Sequence, residues 1–392
     1  MPALEHVRPA EGDLVAVMLA PSSLWLDLVT EIWGAGAALL PIDHRLPPAE
    51  RAALLDRARP TVLLDGGGAR RVDGEPAERG IVLVVRSSGT GGTPAFARFE
   101  RAAIEAAVSS SAAALGATGE DRWLCCLPLA HVGGLLVLLR GLLLGAPVAV
   151  HERFDPASML AEPDVAFTSV VPTMLARLVE TGAELSSFRS ILVGGAHLPA
   201  ELRARAERAG AHLVETYGMT ESCGGVVYDG VPLRGTEVRL APGGEIQLRG
   251  PTLMRGYRLG GSAQPFTTDG WLRTADAGEL DADGRLRVSG RTDDVVITGG
   301  EKVWPGTVEA ALQGHPGVRE LAAGGVPDPD WGERVTVWVV PADAADPPTL
   351  EDLRAFAART LPGYAAPRRL VLLERLPRTA SGKVRRPELP RD

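Results

Sequence analysis

Short apolar runs, each closed by glycine or a polar cluster and followed by a helical stretch, constrain this chain most. Residues 14–18 (Leu-Val-Ala-Val-Met) precede a helical pattern over 22–34, and a second apolar run follows at 37–40. Runs this short, bounded by turn residues, read as buried strands. Their alternation with helices predicts a parallel sheet, hence an α/β fold. The rhythm continues. A helix opens at Pro47, where proline is tolerated, and a strand follows at 61–64. Residues 66–80 are polar and glycine-rich and predict a surface connection. An alanine-rich helix covers 101–115; strands fall at 121–127, 148–150, 165–171, 190–193 and 212–214, with helices at 173–181 and 199–209. Open α/β sheets place ligands at the carboxyl ends of strands. The candidate site is therefore built from loops far apart in sequence.

Between 238 and 290 the rhythm changes to short strands and turns, which predicts a small antiparallel subdomain. The polar stretch 290–294 reads as a domain boundary, giving an N-terminal domain over 1–291 and a C-terminal domain over 292–392. The second domain has an α+β pattern: helices at 304–312 and 350–360, strands at 335–340 and 370–373. A chain of 392 residues needs more than one core. A net charge of −8 with no basic run argues against nucleic acid as the main partner, though not against an anionic ligand. The most apolar stretch, 135–150, is interrupted by Arg140, Gly141, Gly145 and Pro147, so no membrane span is expected. Residues 1–6 carry no basic or apolar leader signal. Cys125, Cys126 and Cys223 lack metal-ligand spacing. A cytoplasmic protein with reduced cysteines is the expectation.

The chemistry-bearing stretches each admit two readings. Ser87-Ser88-Gly89-Thr90-Gly91-Gly92-Thr93 lies between the apolar run 81–85 and a second strand starting at Ala95. Glycines allow close backbone approach, and successive N–H groups with hydroxyls form a concavity for phosphate; the alternative is an ordinary hairpin loop. Thr220-Glu221, after Tyr217, offers hard oxygen donors suited to Mg²⁺, or simply a helix cap. The Tyr217 ring can stack on a base. His131 could meet a substrate carboxylate or be a satisfied histidine. Asp276 could accept from ribose hydroxyls or form an Asx-turn, with Arg291 near it or solvating the boundary. Lys383, in Thr-Ala-Ser-Gly-Lys, could stabilise charge on a transferring phosphoryl group or belong to a solvated basic tail.

Taken in this order, the stretches 87–94, 127–134, 192–198, 217–221, 270–278, 290–305 and 377–386 resemble the acyl-adenylate-forming superfamily. Each is weak alone; the joint order is specific. Within it the chain most resembles the o-succinylbenzoate–CoA ligases of menaquinone biosynthesis in their actinobacterial form, through residues 193–199, 215–232 and 299–303. The resemblance implies a large N-terminal domain of stacked α/β sheets with a small β subdomain, followed by a small mobile α+β domain. It implies an ATP-dependent acid–CoA ligase that forms an acyl adenylate with release of pyrophosphate, then a thioester with CoA. Ser87, Ser88, Gly89, Thr90, Gly91, Gly92 and Thr93 would hold phosphates. Gly195, Ala196, Glu215, Thr216, Tyr217 and Gly218 would surround the nucleotide, with Asp276 and Arg291 at the ribose. Thr220 and Glu221 would serve Mg²⁺. His131, Gly194, Gly218, Met219, Ser222 and Gly224 would line the acid pocket, and His131 would hold the aryl carboxylate. Lys383 would be the adenylation lysine, Asp293 the hinge, and Gly299, Gly300 and Lys302 the CoA surface. Another aryl or alkyl acid, a carrier-protein acceptor, a homodimer and a nucleotide-binding module with weakened catalysis stay open.

The chain departs from the superfamily at three places. The usual Pro-Lys-Gly is Pro94-Ala95-Phe96; the usual Ser/Thr-Thr-Gly core is Thr90-Gly91-Gly92; the usual Thr-Gly-Asp is Thr274-Ala275-Asp276. Losing one charge-stabilising donor costs about 10²–10³ in rate. The Ala95→Lys variant is expected to lower the Michaelis constant for ATP; steady-state kinetics giving an unchanged or raised constant would count against the reading that this loop holds the phosphates through backbone N–H groups and hydroxyls without a lysine of its own.

Overall fold

The computed structural model describes residues 7–87, 94–259, 265–378 and 384–391. The chain divides into two compact units. The first comprises Met1–Leu198, Leu202–Val238 and Leu248–Arg273; the second comprises Pro199–Glu201, Arg239–Gln247 and Thr274–Asp392. The sequence position 291/292 falls inside the second unit.

The first unit contains two seven-stranded sheets. In one, the fully buried Leu14–Val17 lies between Ala38–Pro41 and Val62–Asp65, both parallel to it. Helices Leu24–Gly34 and Pro48–Ala58 connect these strands, as the alternation predicts. Ile81–Ser87 and Ala95–Glu100 pair antiparallel, with Ser87 opposite Ala95, so the stretch 88–93 is bracketed by a hairpin. Residues 88–93 themselves lie outside the described residues. The sheet ends on the short strand Gly256–Tyr257.

The second sheet runs Val231–Pro232, Gly224–Tyr228, Leu213–Met219, Ser190–Val193, Val165–Val170, Arg122–Cys125, Val148–Val150. Its middle is parallel, and Gly224–Tyr228 joins antiparallel. The helix Val132–Leu144 is apolar almost all round and accordingly buried through its middle; it ends at Gly145 with φ +70. Among the described residues no helix is long and apolar enough to cross a membrane.

In the second unit, Gly332–Pro341 is the spine. It pairs antiparallel with Val318–Asp328 and parallel with Arg369–Leu372. Side chains alternate across a strand. Val335, Val337 and Val339 join a core with Val308, Leu312 and Leu353, while Trp338 and Val340 face Leu376 and Leu389.

Three expectations change. The strand expected at 212–214 continues through Tyr217 to Met219, because Gly224–Tyr228 folds back to pair with it. Asp276, expected at a turn, lies inside the nine-residue strand Leu272–Leu280, held by Leu286–Arg291. The connection 66–80 contains a strand, Gly68–Arg71, paired antiparallel with Val62–Asp65. In each case a partner strand overrides weak local propensity.

Arg258 fastens the end of the first sheet. Its side chain is 1% exposed. The guanidinium donates to the carbonyls of Ala58 (2.8 Å), Pro76 (3.0 Å), Arg59 (3.3 Å) and Glu75. Burial pushes its pKa down from the ordinary arginine value, with Glu78 opposing that shift. Arginine alone among side chains offers five donors in a planar fork. The Arg258→Met variant should lose about 3–5 kcal/mol, since it strips partners from several carbonyls at once. Urea unfolding checks this; a loss below about 1 kcal/mol would show that water replaces the guanidinium.

Candidate active site

Val193 and Glu215 are partners in parallel strands, so Gly194, Gly195 and Ala196 leave one strand beside Thr216 and Tyr217 on the next. The Thr216 hydroxyl donates to the Val193 carbonyl at 3.3 Å. A Cβ on Gly194 would lie 2.4 Å from Thr216 Oγ1 and would force that hydroxyl to move. Gly195 and Ala196 are exposed. Glu215 is engaged within the fold: its carboxylate meets Arg203 at 3.2 Å, and its N–H donates to Asp229 at 3.0 Å.

Past Tyr217 the pairing shifts register, and Gly218 and Met219 face Gly225 and Gly224. The two backbones approach so closely that a Cβ on Gly218 would sit 2.0 Å from the Gly224 carbonyl. Thr220–Ser222 then forms one 3₁₀ turn, ended by Cys223 at φ +57. Ser222 is fully buried. Its hydroxyl accepts the Met219 N–H at 2.9 Å and donates to the Gly224 carbonyl at 2.8 Å, so it serves the turn. The turn presents Glu221, half-buried; the Tyr257 hydroxyl donates to Glu221 Oε1 at 2.8 Å. His131 is exposed at the N-terminus of Val132–Leu144, a helix whose Leu136 would touch a Cβ placed on Gly224.

The donor set here suits Mg²⁺. Glu221 and Thr220 supply a carboxylate and a hydroxyl, both hard oxygens. Among the described residues no group of three or more His, Cys, Asp or Glu could form a complete protein cage. Mg²⁺ is ordinarily held by one or two carboxylates together with substrate phosphates.

In the sequence Arg140 reads only as a break in an apolar stretch; in the structure it is buried. Its guanidinium donates to Ser111 Oγ (3.0 and 3.2 Å) and Tyr228 OH (3.4 Å) and stacks 4.8 Å from the Trp123 ring centroid. No carboxylate among the described residues pairs with it. It ties Gly224–Tyr228 to two helices. Its partners lie 29 and 88 residues away, so no local signal marks the cluster.

In the second unit, Asp276 and Arg291 face each other across paired strands, with Arg291 Nη1 3.5 Å from Asp276 Oδ1. The Thr274 hydroxyl donates to the Ile246 carbonyl at 2.7 Å and accepts the Asp276 N–H at 3.0 Å. Ala275 holds φ +55. That region costs a Cβ-bearing residue about 1–2 kcal/mol, which gives the superfamily's usual glycine a backbone reason. Asp293 is exposed in the turn Thr292–Asp294. Gly299 and Gly300, at φ +58 and +85, are the tip of a hairpin pairing Thr298 with Glu301, a turn that needs positive φ at both positions. Lys302 is exposed on that hairpin. Lys383 lies outside the described residues, but Arg378 and Val384 on either side of it pair as an antiparallel bridge. Arg386 beyond it donates to Glu309 at 2.7 Å and meets Asp294 at 3.4 Å.

Residues 69–258 match the family of AMP-binding enzymes, and residues 307–383 match the AMP-binding enzyme C-terminal domain. The chain is 41% identical to a probable 2-succinylbenzoate–CoA ligase of Mycobacterium tuberculosis, over 91% of this chain and 95% of that one. It is 33% identical to a feruloyl-CoA synthase of an Amycolatopsis species, over 98% and 89% of the two chains. The o-succinylbenzoate coenzyme A synthetase of Bacillus subtilis has been solved with the acyl-adenylate intermediate OSB-AMP (TM-score 0.87) and with ATP and a magnesium ion (TM-score 0.86). Both are 29% identical and cover 97% of this chain, and this chain covers 88% and 90% of theirs.

The three cysteines flank these elements. All are free and buried, and burial pushes their thiols up to about 12. Ellman's reagent at pH 8 should find no reactive thiol in the native protein and three after unfolding. Rapid labelling of the native protein would contradict the burial.

Proposed function

The chain belongs to the AMP-binding enzyme family, and we propose that it is an ATP-dependent 2-succinylbenzoate–CoA ligase of the AMP-forming type. The observation that carries the reading is the likeness, over nearly the whole of both chains, to a ligase named for this acid. In the first step a carboxylate oxygen of the acid attacks the α-phosphorus of ATP. The bond to the bridging oxygen breaks, and pyrophosphate leaves with that electron pair. In the second step the CoA sulfur attacks the acyl carbonyl, the thiol proton is lost, and AMP departs.

The chain's own residues take these roles. Residues 87–93 hold phosphate oxygens through N–H groups and hydroxyls. Gly195, Ala196 and Tyr217 border the adenine; Asp276 accepts from the ribose hydroxyls, with Arg291 beside it. Thr220 and Glu221 hold Mg²⁺, which neutralises phosphate charge when bound. Lys383 stabilises the charge that develops at the α-phosphate. His131 holds the aryl carboxylate. Gly299, Gly300 and Lys302 meet CoA, and Asp293 is the hinge of a C-terminal domain beginning at 292. The reduced cysteines support a cytoplasmic location.

Pyrophosphate release with 2-succinylbenzoate, ATP, Mg²⁺ and CoA tests the proposal; folded protein that releases none would sink it. Ferulate is the second acid to assay, given the feruloyl-CoA synthase likeness. The Lys383→Ala variant should lose about 10²–10³ in adenylation rate while still making thioester from preformed acyl adenylate. Equal loss of both half reactions would contradict a role for Lys383 confined to the first step.

A further inference from the structure

Glu221 does not reach its site on its own turn alone. Its carbonyl accepts the Met254 N–H at 2.9 Å, and its carboxylate accepts the Tyr257 hydroxyl at 2.8 Å. Both partners belong to one short segment, which is fixed to the other sheet. Gly256 and Tyr257 pair with Arg98 and Ala97. The Arg255 and Arg258 N–H groups each donate at 2.8 Å, to Arg98 and Phe96. Gly256 sits at φ +136, where a Cβ would lie 3.0 Å from the Arg98 guanidinium. Arg258 then locks the segment through its four carbonyls. The strand receiving this segment, Ala95–Glu100, is the same strand that closes the hairpin around residues 88–93. Tyr257 therefore spans from the hairpin of the phosphate stretch to the carboxylate on the second sheet's turn.

We infer that Tyr257 is a positioning residue: its hydroxyl holds Glu221 Oε1 and so aims the carboxylate at the metal–nucleotide complex. This rests on the reading of Glu221 as the metal carboxylate. A hydroxyl donating to a carboxylate forms a strong, directional bond. It orients the group and leaves the second oxygen and the remaining lone pairs for a cation. Outer partners of this kind are worth about 10–100-fold in metal affinity. The neutral hydroxyl does this without adding a charge that would compete with the cation.

The test is binding, not turnover. Mn²⁺ is titrated by electron paramagnetic resonance into enzyme saturated with a non-hydrolysable α,β-methylene ATP analogue. Tyr257→Phe keeps the ring and removes only the hydroxyl. It should weaken Mn²⁺ binding about 10–100-fold. Analogue affinity measured without metal should stay within about twofold of the parent protein, and the melting temperature should be nearly unchanged. In a Glu221→Gln background the same change should add nothing, because the carboxylate it aims is gone. Parental Mn²⁺ binding by Tyr257→Phe, with Glu221→Gln strongly weakened, overturns the inference and leaves the metal reading of Glu221 standing. Parental binding by Glu221→Gln overturns both. Equal weakening of the metal-free analogue would show a merely structural tyrosine and also overturn the inference.

Discussion

The candidate site depends on two backbones lying too close for any side chain. Where Gly218 meets Gly224, a methyl group would stand 2.0 Å from a carbonyl oxygen. Nothing larger than hydrogen fits, so the strand Leu213–Met219 and its return strand can close on a single turn of three residues. That tightness lets Ser222 bridge both ends with one buried hydroxyl. It also puts Cys223 into the left-handed region, a conformation that a residue with a Cβ adopts only when its surroundings demand it. Thr220 and Glu221 are displayed as a consequence. The same closeness sets Gly224 against Leu136, in the helix that starts at His131.

Buried arginine is used in two ways. Arg258 spreads its donors over main-chain carbonyls and fixes the path of the chain. Arg140 meets hydroxyls and an aromatic face, with no carboxylate of the described residues beside it. A buried charge is tolerable only when its donors are satisfied. A guanidinium, weakly hydrated and planar, satisfies them with neutral oxygens and a π-face where an ammonium would not.

Much of the frame was legible in the sequence. The fully buried strand Leu14–Val17 and the strand Ser190–Val193 announce themselves as apolar runs, and the glycines after the latter mark where that strand ends. The alanine-rich helix Arg101–Leu115 needs no tertiary information, since its propensity suffices. What stayed hidden was set by distant partners. Glu215 to Met219 reads as a polar loop because its strand character comes from pairing with 224–228. Leu272–Leu280 hides for the same reason, with Ala275 in a left-handed conformation and a register shift after Ala277. Tyr257 looks like one aromatic among polar residues; its carboxylate partner is 36 positions earlier. Arg258 looks like a surface charge until its carbonyls, about two hundred positions away, are brought to it. The departures from the superfamily pattern were visible; the Ala275 backbone that makes glycine the natural choice there was not.

The silence of the three thiols has a chemical consequence. An acyl adenylate is a mixed anhydride, and any thiolate within reach is a competent acceptor for its acyl group. Burial pushes all three thiols up to about 12, so they stay protonated at neutral pH, and none is solvent-exposed. Cys223, immediately after the turn that carries Glu221, is fully buried and its thiol is raised by that burial. Sealing it inside the sheet leaves the incoming coenzyme as the productive sulfur nucleophile. The intermediate can then wait for its partner without marking the protein that made it.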